Sequence, residues 1–294
     1  MADTKLEGLG VALVTPFKED FSIDYSGLER LIEHVIEGGC DYIVALGTTA
    51  ETPTLSREEK NALTQFIKEK VSGRLPLVIG IGGNNTYGVV EEIRSRDLTG
   101  YEAILSVVPY YNKPTQEGLY QHFRTISEAS PIPMLLYNVP GRTGVNLTAK
   151  TTIKIYRDSK NILGIKEASG NISQSEEIIN GTDNNFKLIS GNDSDTFSLM
   201  ELGARGVISV LANAYPKEVK KLVTLCQNKE TSEAKNYQES LQTLIKNLFI
   251  DGNPAGVKAL LSQMNIVKNI LRLPLVPVSK EIEKELIKST AILF

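Results

Sequence analysis

Lys166 stands at the end of a short apolar run, Ile162-Leu163-Gly164-Ile165, and is followed at once by Glu167-Ala168-Ser169-Gly170. Such a run reads as a strand of a parallel sheet covered on both faces. An ammonium group in that setting is costly to desolvate. Burial favours the neutral amine, and a neutral amine can attack a carbonyl carbon to give a Schiff base. A lysine at a strand end can equally snorkel into water, and alone Lys166 would be read that way. Its company changes the reading. Thr48-Thr49 follow another apolar run, and two hydroxyls beside backbone N–H groups suit a carboxylate, with Thr49 able to relay a proton. Tyr137 ends a further run and would emerge beside Lys166. Arg142, in the loop Asn138-Val139-Pro140-Gly141-Arg142-Thr143-Gly144, offers a planar cation for a substrate carboxylate. Tyr110-Tyr111 add phenols, although loop aromatics more often serve packing. Gly191, in Ser190-Gly191-Asn192-Asp193, would let backbone approach a ligand. One amine, one phenol, a hydroxyl pair and an arginine are equipment for imine chemistry on carboxylated carbonyl compounds. These residue types do not by themselves choose the substrate.

Eight short apolar runs punctuate the chain, beginning at Gly10, Tyr42, Leu77, Ala103, Met134, Ile162, Phe186 and Gly206. Each leads through a polar loop into a segment of helical period, the size of one strand-plus-helix unit. Ser56-Arg57-Glu58-Glu59 is a capping box, and Leu63, Phe66, Ile67 and Lys70 form a stripe behind it. An unbroken series of eight predicts a (β/α)₈ TIM barrel, with its chemistry at the C-terminal strand ends. An open doubly wound sheet binding a dinucleotide would carry a glycine fingerprint after its first strand, where Thr15-Pro16-Phe17 stands instead. Gly80-Ile81-Gly82-Gly83-Asn84-Asn85 misses the spacing of that fingerprint. Beyond about residue 225 the pattern is helical only, predicting a catalytic barrel over 1–225 and a C-terminal helical domain over 226–294. Helices are expected over 229–249, 255–264 and 279–293, laid on the outside of the barrel, with Asn253-Pro254 as a break.

Composition narrows the classes. The 294 residues are 41% hydrophobic and 23% charged, as in ordinary globular domains. Net charge is −3, and no basic run supports nucleic-acid binding. No apolar stretch reaches membrane-spanning length, and the opening residues lack the order of a signal peptide, so a cytoplasmic protein is expected. Cys40 and Cys226 read as buried thiols, and neither His34 nor His122 has metal-ligand neighbours in sequence. No metal and no cofactor are expected.

Gly47-Thr48-Thr49-x-Glu51, Tyr137-Asn138-Val139-Pro140-x-Arg142-Thr143-Gly144 and Gly164-Ile165-Lys166-Glu167-Ala168, in this order and spacing, resemble the dihydrodipicolinate synthase and N-acetylneuraminate lyase family of class I aldolases. The likeness covers essentially the whole chain. The Thr-Thr pair and Arg142 place it nearer the synthases than the sialic acid lyases. The resemblance implies that Lys166 forms the Schiff base with pyruvate and that Thr48 and Thr49 hold its carboxylate. It implies a proton relay of Tyr137, Thr49 and Tyr111, with Tyr111 delivered by a neighbouring subunit. Arg142 would bind the carboxylate of aspartate semialdehyde, while Gly191 and Ile208 would line the pyruvate site through backbone. A subunit-crossing Tyr111 makes a dimer the minimum and a homotetramer, a dimer of dimers, the expectation. The family's first motif usually reads Gly-Thr-Thr-Gly-Glu-Ser, so Ala50 and Thr52 depart from it, and the extra methyl could tighten the turn. Some members are inhibited by lysine in an interfacial cleft, where Asn84 and Tyr110 match positions used. Arg57 and Lys60 would repel a cationic effector and Gly88 supplies no counter-charge, so weak or absent inhibition is expected. The competing readings are a different pyruvate aldolase of the same fold and a non-catalytic homologue.

Overall fold

The computed structural model describes residues 6–293. Eight strands pair in sequence order and close on themselves: β1 Gly8–Ala12, β2 Tyr42–Ala45, β3 Leu77–Gly80, β4 Ala103–Val107, β5 Met134–Asn138, β6 Ile162–Glu167, β7 Lys187–Ser190 and β8 Gly206–Ser209. Every pairing is parallel, and closure places Gly8 opposite Gly206. The expected TIM barrel is what the chain forms. Its strands read as continuous apolar runs because both faces are buried. Tyr42, Val44, Leu105, Leu135, Ile189 and Ile208 fill the interior. Leu9, Val11, Ile43, Ile79, Ile104 and Leu136 face the surrounding helices.

Those helices are α1 Tyr25–Glu37, α2 Arg57–Val71, α3 Thr86–Ser95, α4 Gln116–Ala129, the single turn α5 Pro140–Thr143, α6 Ala149–Asp158, α7 Ile172–Gly181, α8 Thr196–Glu201 and α9 Pro216–Gln227. The capping box of α2 forms as its sequence dictates. Ser56 Oγ accepts from the Glu59 N–H at 3.2 Å, and Glu59 accepts from the Ser56 N–H at 2.9 Å. The buried stripe behind it is Leu63, Thr64, Ile67 and Val71. Phe66 sits on its edge against Tyr25, and Lys70 turns outward to Glu29 at 2.6 Å. The long charged side chain therefore borders the stripe instead of extending it.

Strand β1 begins two residues before its expected start. Past Ala12 the backbone leaves the ladder, and the Val14 N–H donates to the Asn213 side chain at 3.0 Å. Helices α10 Thr231–Phe249, α11 Ala255–Gln263 and α12 Lys280–Ser289 follow, close to the expected ranges, and a 3₁₀ turn over Thr290–Leu293 ends α12 early. Helix α9 runs across residue 225, and one hydrophobic cluster joins barrel and tail residues. Helix α11 is no peripheral layer, because Ala255 through Leu261 are all buried. Among the described residues no helix is long and apolar enough to cross a membrane. Cys40 and Cys226 are free and buried, and burial pushes their thiols up to about 12 and about 11.

Candidate active site

Parallel pairing of β5 with β6 puts Tyr137 directly opposite Lys166, both side chains directed into the barrel. The ammonium nitrogen lies 4.5 Å from the phenol ring centroid, with Lys166 5% and Tyr137 6% exposed. Among the described residues three lysines are buried, and two are neutralised: Lys187 by Glu7 at 2.7 Å and Lys258 by Glu51 at 2.5 Å. Lys166 has no carboxylate within ion-pair distance among the described residues. A buried amine left without a carboxylate is available for chemistry in a way that the other two are not.

The next residues along these strands face outward and fix the pair. Asn138 Nδ2 donates to both Glu167 oxygens at 3.1 Å, and Gln174 and the Ser169 N–H donate to the same carboxylate at 3.2 and 2.7 Å. Burial pushes the Glu167 carboxyl upward against the pull of these bonds. The Leu147 N–H donates to Asn138 Oδ1 at 2.9 Å, which anchors the far end of the loop carrying Arg142. At the neighbouring strand ends Asp193 is buried, with Ser209 and the backbone N–H groups of Val210 and Leu211, at 3.0 and 3.2 Å, donating to it. Burial raises its carboxyl, and the positive charge of Lys166 acts the other way. Neither carboxylate figured among the expected site residues. An acid followed by a small polar loop was their only sequence signal.

Thr48 and Thr49 lie on a single 3₁₀ turn, Thr48–Ala50, after β2. The backbone leading into that turn passes over β3 where only glycine fits, since a Cβ on Gly80 would lie 2.1 Å from the Leu46 carbonyl oxygen. The left-handed residue of the turn is Glu51, at φ +54°, so the Ala50 methyl brings no backbone strain. Thr52 closes the turn, donating its hydroxyl to the Gly47 carbonyl at 2.8 Å. Both departures from the usual motif are thus accommodated.

The tail supplies what sequence reasoning missed. Asn253 Nδ2 donates to Thr49 Oγ1 at 2.9 Å. Lys258, with 0% exposure, donates to Glu51 and to the Ile270 carbonyl at 2.8 Å, and packs over Phe17. Burial brings its ammonium down to about 8, opposed by Glu51. The Arg272 N–H completes the Glu51 shell at 2.9 Å, and its guanidinium grips Glu59. The Asn253-Pro254 break was visible in sequence, but not what it touches.

A cavity of about 370 Å³ opens over these groups, lined by Thr48, Tyr137, Arg142, Lys60, Tyr110 and Glu92 among others. Lys166 and Thr49 are buried beside Tyr137 and Thr48 and do not line it. Arg142 is exposed on α5 and reaches the rim. Gly191 and Ile208 are not on this surface. A Cβ on Gly191 would lie 2.7 Å from the Ala168 Cβ, so its glycine serves strand-end packing against β6. Ile208 is enclosed in the barrel interior. Tyr111 is 88% exposed, in a left-handed conformation, and outside the cavity. An adjoining cleft of about 240 Å³ is lined by Arg57, Lys60, Gly88, Arg96 and two acids, Glu91 and Glu92. Arg57 and Lys60 therefore face carboxylates that the sequence reading left out. Asn84 lies outside this cleft and donates to the Tyr110 carbonyl at 3.3 Å.

The model of the dihydrodipicolinate synthetase family matches residues 5–292. The chain belongs to that family. A 4-hydroxy-tetrahydrodipicolinate synthase of Phocaeicola vulgatus is 52% identical over 277 residues, 94% of this chain and 93% of that protein. The crystal structure of the family member dihydrodipicolinate synthase from Thermotoga maritima superposes with a TM-score of 0.95 at 39% identity, covering 98% of each chain. A family structure described as the first monomeric dihydrodipicolinate synthase variant matches with a TM-score of 0.94 at 39% identity, over 97% of this chain and 96% of that one.

Proposed function

We propose that this chain condenses pyruvate with L-aspartate 4-semialdehyde to give 4-hydroxy-tetrahydrodipicolinate, the class I aldolase step leading to diaminopimelate and lysine. Family membership supports the reaction. The observation that carries the residue assignment is the un-neutralised, buried Lys166 facing Tyr137 across β5 and β6.

Lys166 Nζ adds to the ketone carbon of pyruvate, and loss of water leaves an imine. Thr48 and Thr49 hold the pyruvate carboxylate through hydroxyl and backbone N–H groups at the 3₁₀ turn. The iminium draws electrons from the methyl carbon, which gives up a proton through Thr49 and Tyr137 to form the enamine. The enamine carbon attacks the aldehyde, whose oxygen takes a proton from the same relay. Arg142, on the rim, pairs with the semialdehyde carboxylate. Attack of the semialdehyde amino group on the imine carbon then closes the ring and frees Lys166. Tyr111 completes the relay from a neighbouring copy, its exposure within one chain being what that role requires. The working assembly in this reading is a homotetramer, and the cytoplasmic location expected from the sequence is part of the same proposal.

The test compares pyruvate consumption with aspartate semialdehyde and with N-acetylmannosamine. Turnover with the semialdehyde alone is expected. Turnover with the sugar alone keeps the imine chemistry and overturns the role of Arg142, making the chain a different pyruvate aldolase.

A further inference from the structure

Glu51 is an uneconomical occupant of its position. It stands at φ +54°, where a residue with a side chain loses on the order of 1 kcal/mol and glycine loses nothing. Leu46, at the other end of the turn that carries Thr48, is left-handed as well, also at φ +54°. Leu46 and Thr48 both line the catalytic cavity. Paired strain of this kind persists only where surrounding groups over-determine it, and it gathers at functional sites.

The groups that hold this turn come largely from outside it. Thr15 donates its hydroxyl to the Ala50 carbonyl at 2.8 Å. The tail does more. Lys258 and the Arg272 N–H donate to the Glu51 carboxylate at 2.5 and 2.9 Å, and the Arg272 guanidinium donates to the Thr54 carbonyl at 2.9 Å. The Lys258 and Glu51 side chains are both 0% exposed. A buried ion pair is a weak device for stability, since apolar residues of similar volume are often as stable in its place. What an apolar pair cannot supply is a directional hold on one point of the backbone.

We propose that Lys258 is a positioning residue for pyruvate: through Glu51 it fixes the turn that presents the Thr48 hydroxyl and neighbouring backbone N–H groups to the substrate carboxylate. Pyruvate affinity is then set from α11, while the semialdehyde, held by Arg142 on α5 at the rim, is indifferent to the clamp. This role rests on the pyruvate-imine reading above and adds no member to the proton relay.

Lys258→Met and the double variant Lys258→Met/Glu51→Gln separate positioning from stability in the full chain. The double variant strands no ion, so it is expected to fold even where the single one does not. For each, the pyruvate concentration that half-saturates borohydride trapping at Lys166 is measured beside KM for the semialdehyde and the folded fraction by circular dichroism. In the double variant half-saturating pyruvate should rise about fivefold or more, within what about an ångström of misplacement costs, with KM for the semialdehyde changed less than about twofold. Stability regained through Glu51→Gln should leave that rise in place. Half-saturating pyruvate within about twofold of the parent in the folded double variant overturns the proposal. So does a rise that only tracks the unfolded fraction, or an equal rise in KM for the semialdehyde, since a loosened fold weakens both. A double variant that does not fold gives the pair a structural role alone and overturns it too. Absence of the Lys166 adduct in the unchanged chain would instead bring down the imine reading itself.

Discussion

Of the three lysines buried among the described residues, the one without a carboxylate is the one aligned with a tyrosine at the mouth of the barrel. That contrast sets Lys166 apart from the other two more sharply than burial does. Lys258 shows the structural alternative, its charge fully used by Glu51 and a carbonyl. Arg142 differs from both in being exposed at the cavity rim. Its proposed role is binding, so Arg142→Ala should raise KM for the semialdehyde by the worth of a charge-assisted contact, about 1.5–3 kcal/mol. KM for pyruvate should be nearly unchanged, and steady-state kinetics with each substrate varied in turn will show whether the two separate. Lys166, Tyr137, Thr48 and Arg142 could be singled out in the sequence because each ends or follows an apolar run, where a parallel barrel places its chemistry. Gly191 and Ile208 were expected to line the pyruvate site through backbone, and the packing around each becomes visible only once the strands are paired.

At the scale of elements, the buried α11 and the 3₁₀ turn of Thr48–Ala50 act as one unit through Lys258 and Glu51. Lys258→Met should strand Glu51 as an unpaired buried charge and destabilise the fold by about 3–5 kcal/mol, whereas adding Glu51→Gln should recover part of it. Denaturant unfolding of the single and double variants measures both. Nothing in the helical period of 255–264 announced this pairing, because its partner lies some 207 residues away in sequence. A second element-level device joins α3 to α4. His122 is buried, its Nδ1 2.9 Å from Thr86 Oγ1, and burial brings its imidazole down to about 4. Between that value and the ordinary 6.5 the unfolded chain binds a proton that the native chain does not. Stability from this group is therefore intact above pH 6.5 and lost as pH falls toward 4, by about 3 kcal/mol in all. Unfolding free energies at pH 7 and pH 5 should differ more for the unchanged chain than for His122→Gln. Equal differences would remove His122 from the acid response.

For the whole molecule, the eightfold rhythm of apolar runs carried the fold class, and the structure returns strand ends within about two residues of those runs. The tail was legible as helices but not as part of the site, since periodicity reports which face is apolar and not what the face meets. Tyr87, Tyr110 and Tyr111 are exposed in one chain, and Tyr110 lines the cavity. Sedimentation at assay concentrations should show a dimer or tetramer, and Tyr111→Phe should lower kcat without dissociating it. A fully active monomer would remove Tyr111 from the relay.

The claim on which the rest depends is that Lys166 and no other lysine forms an imine with pyruvate. Incubation with pyruvate and borohydride, followed by peptide mapping, tests it directly. A single reduced adduct on the peptide containing Lys166, absent from Lys166→Ala, is the predicted result. An adduct on Lys258 or Lys187, or none at all, would contradict the account.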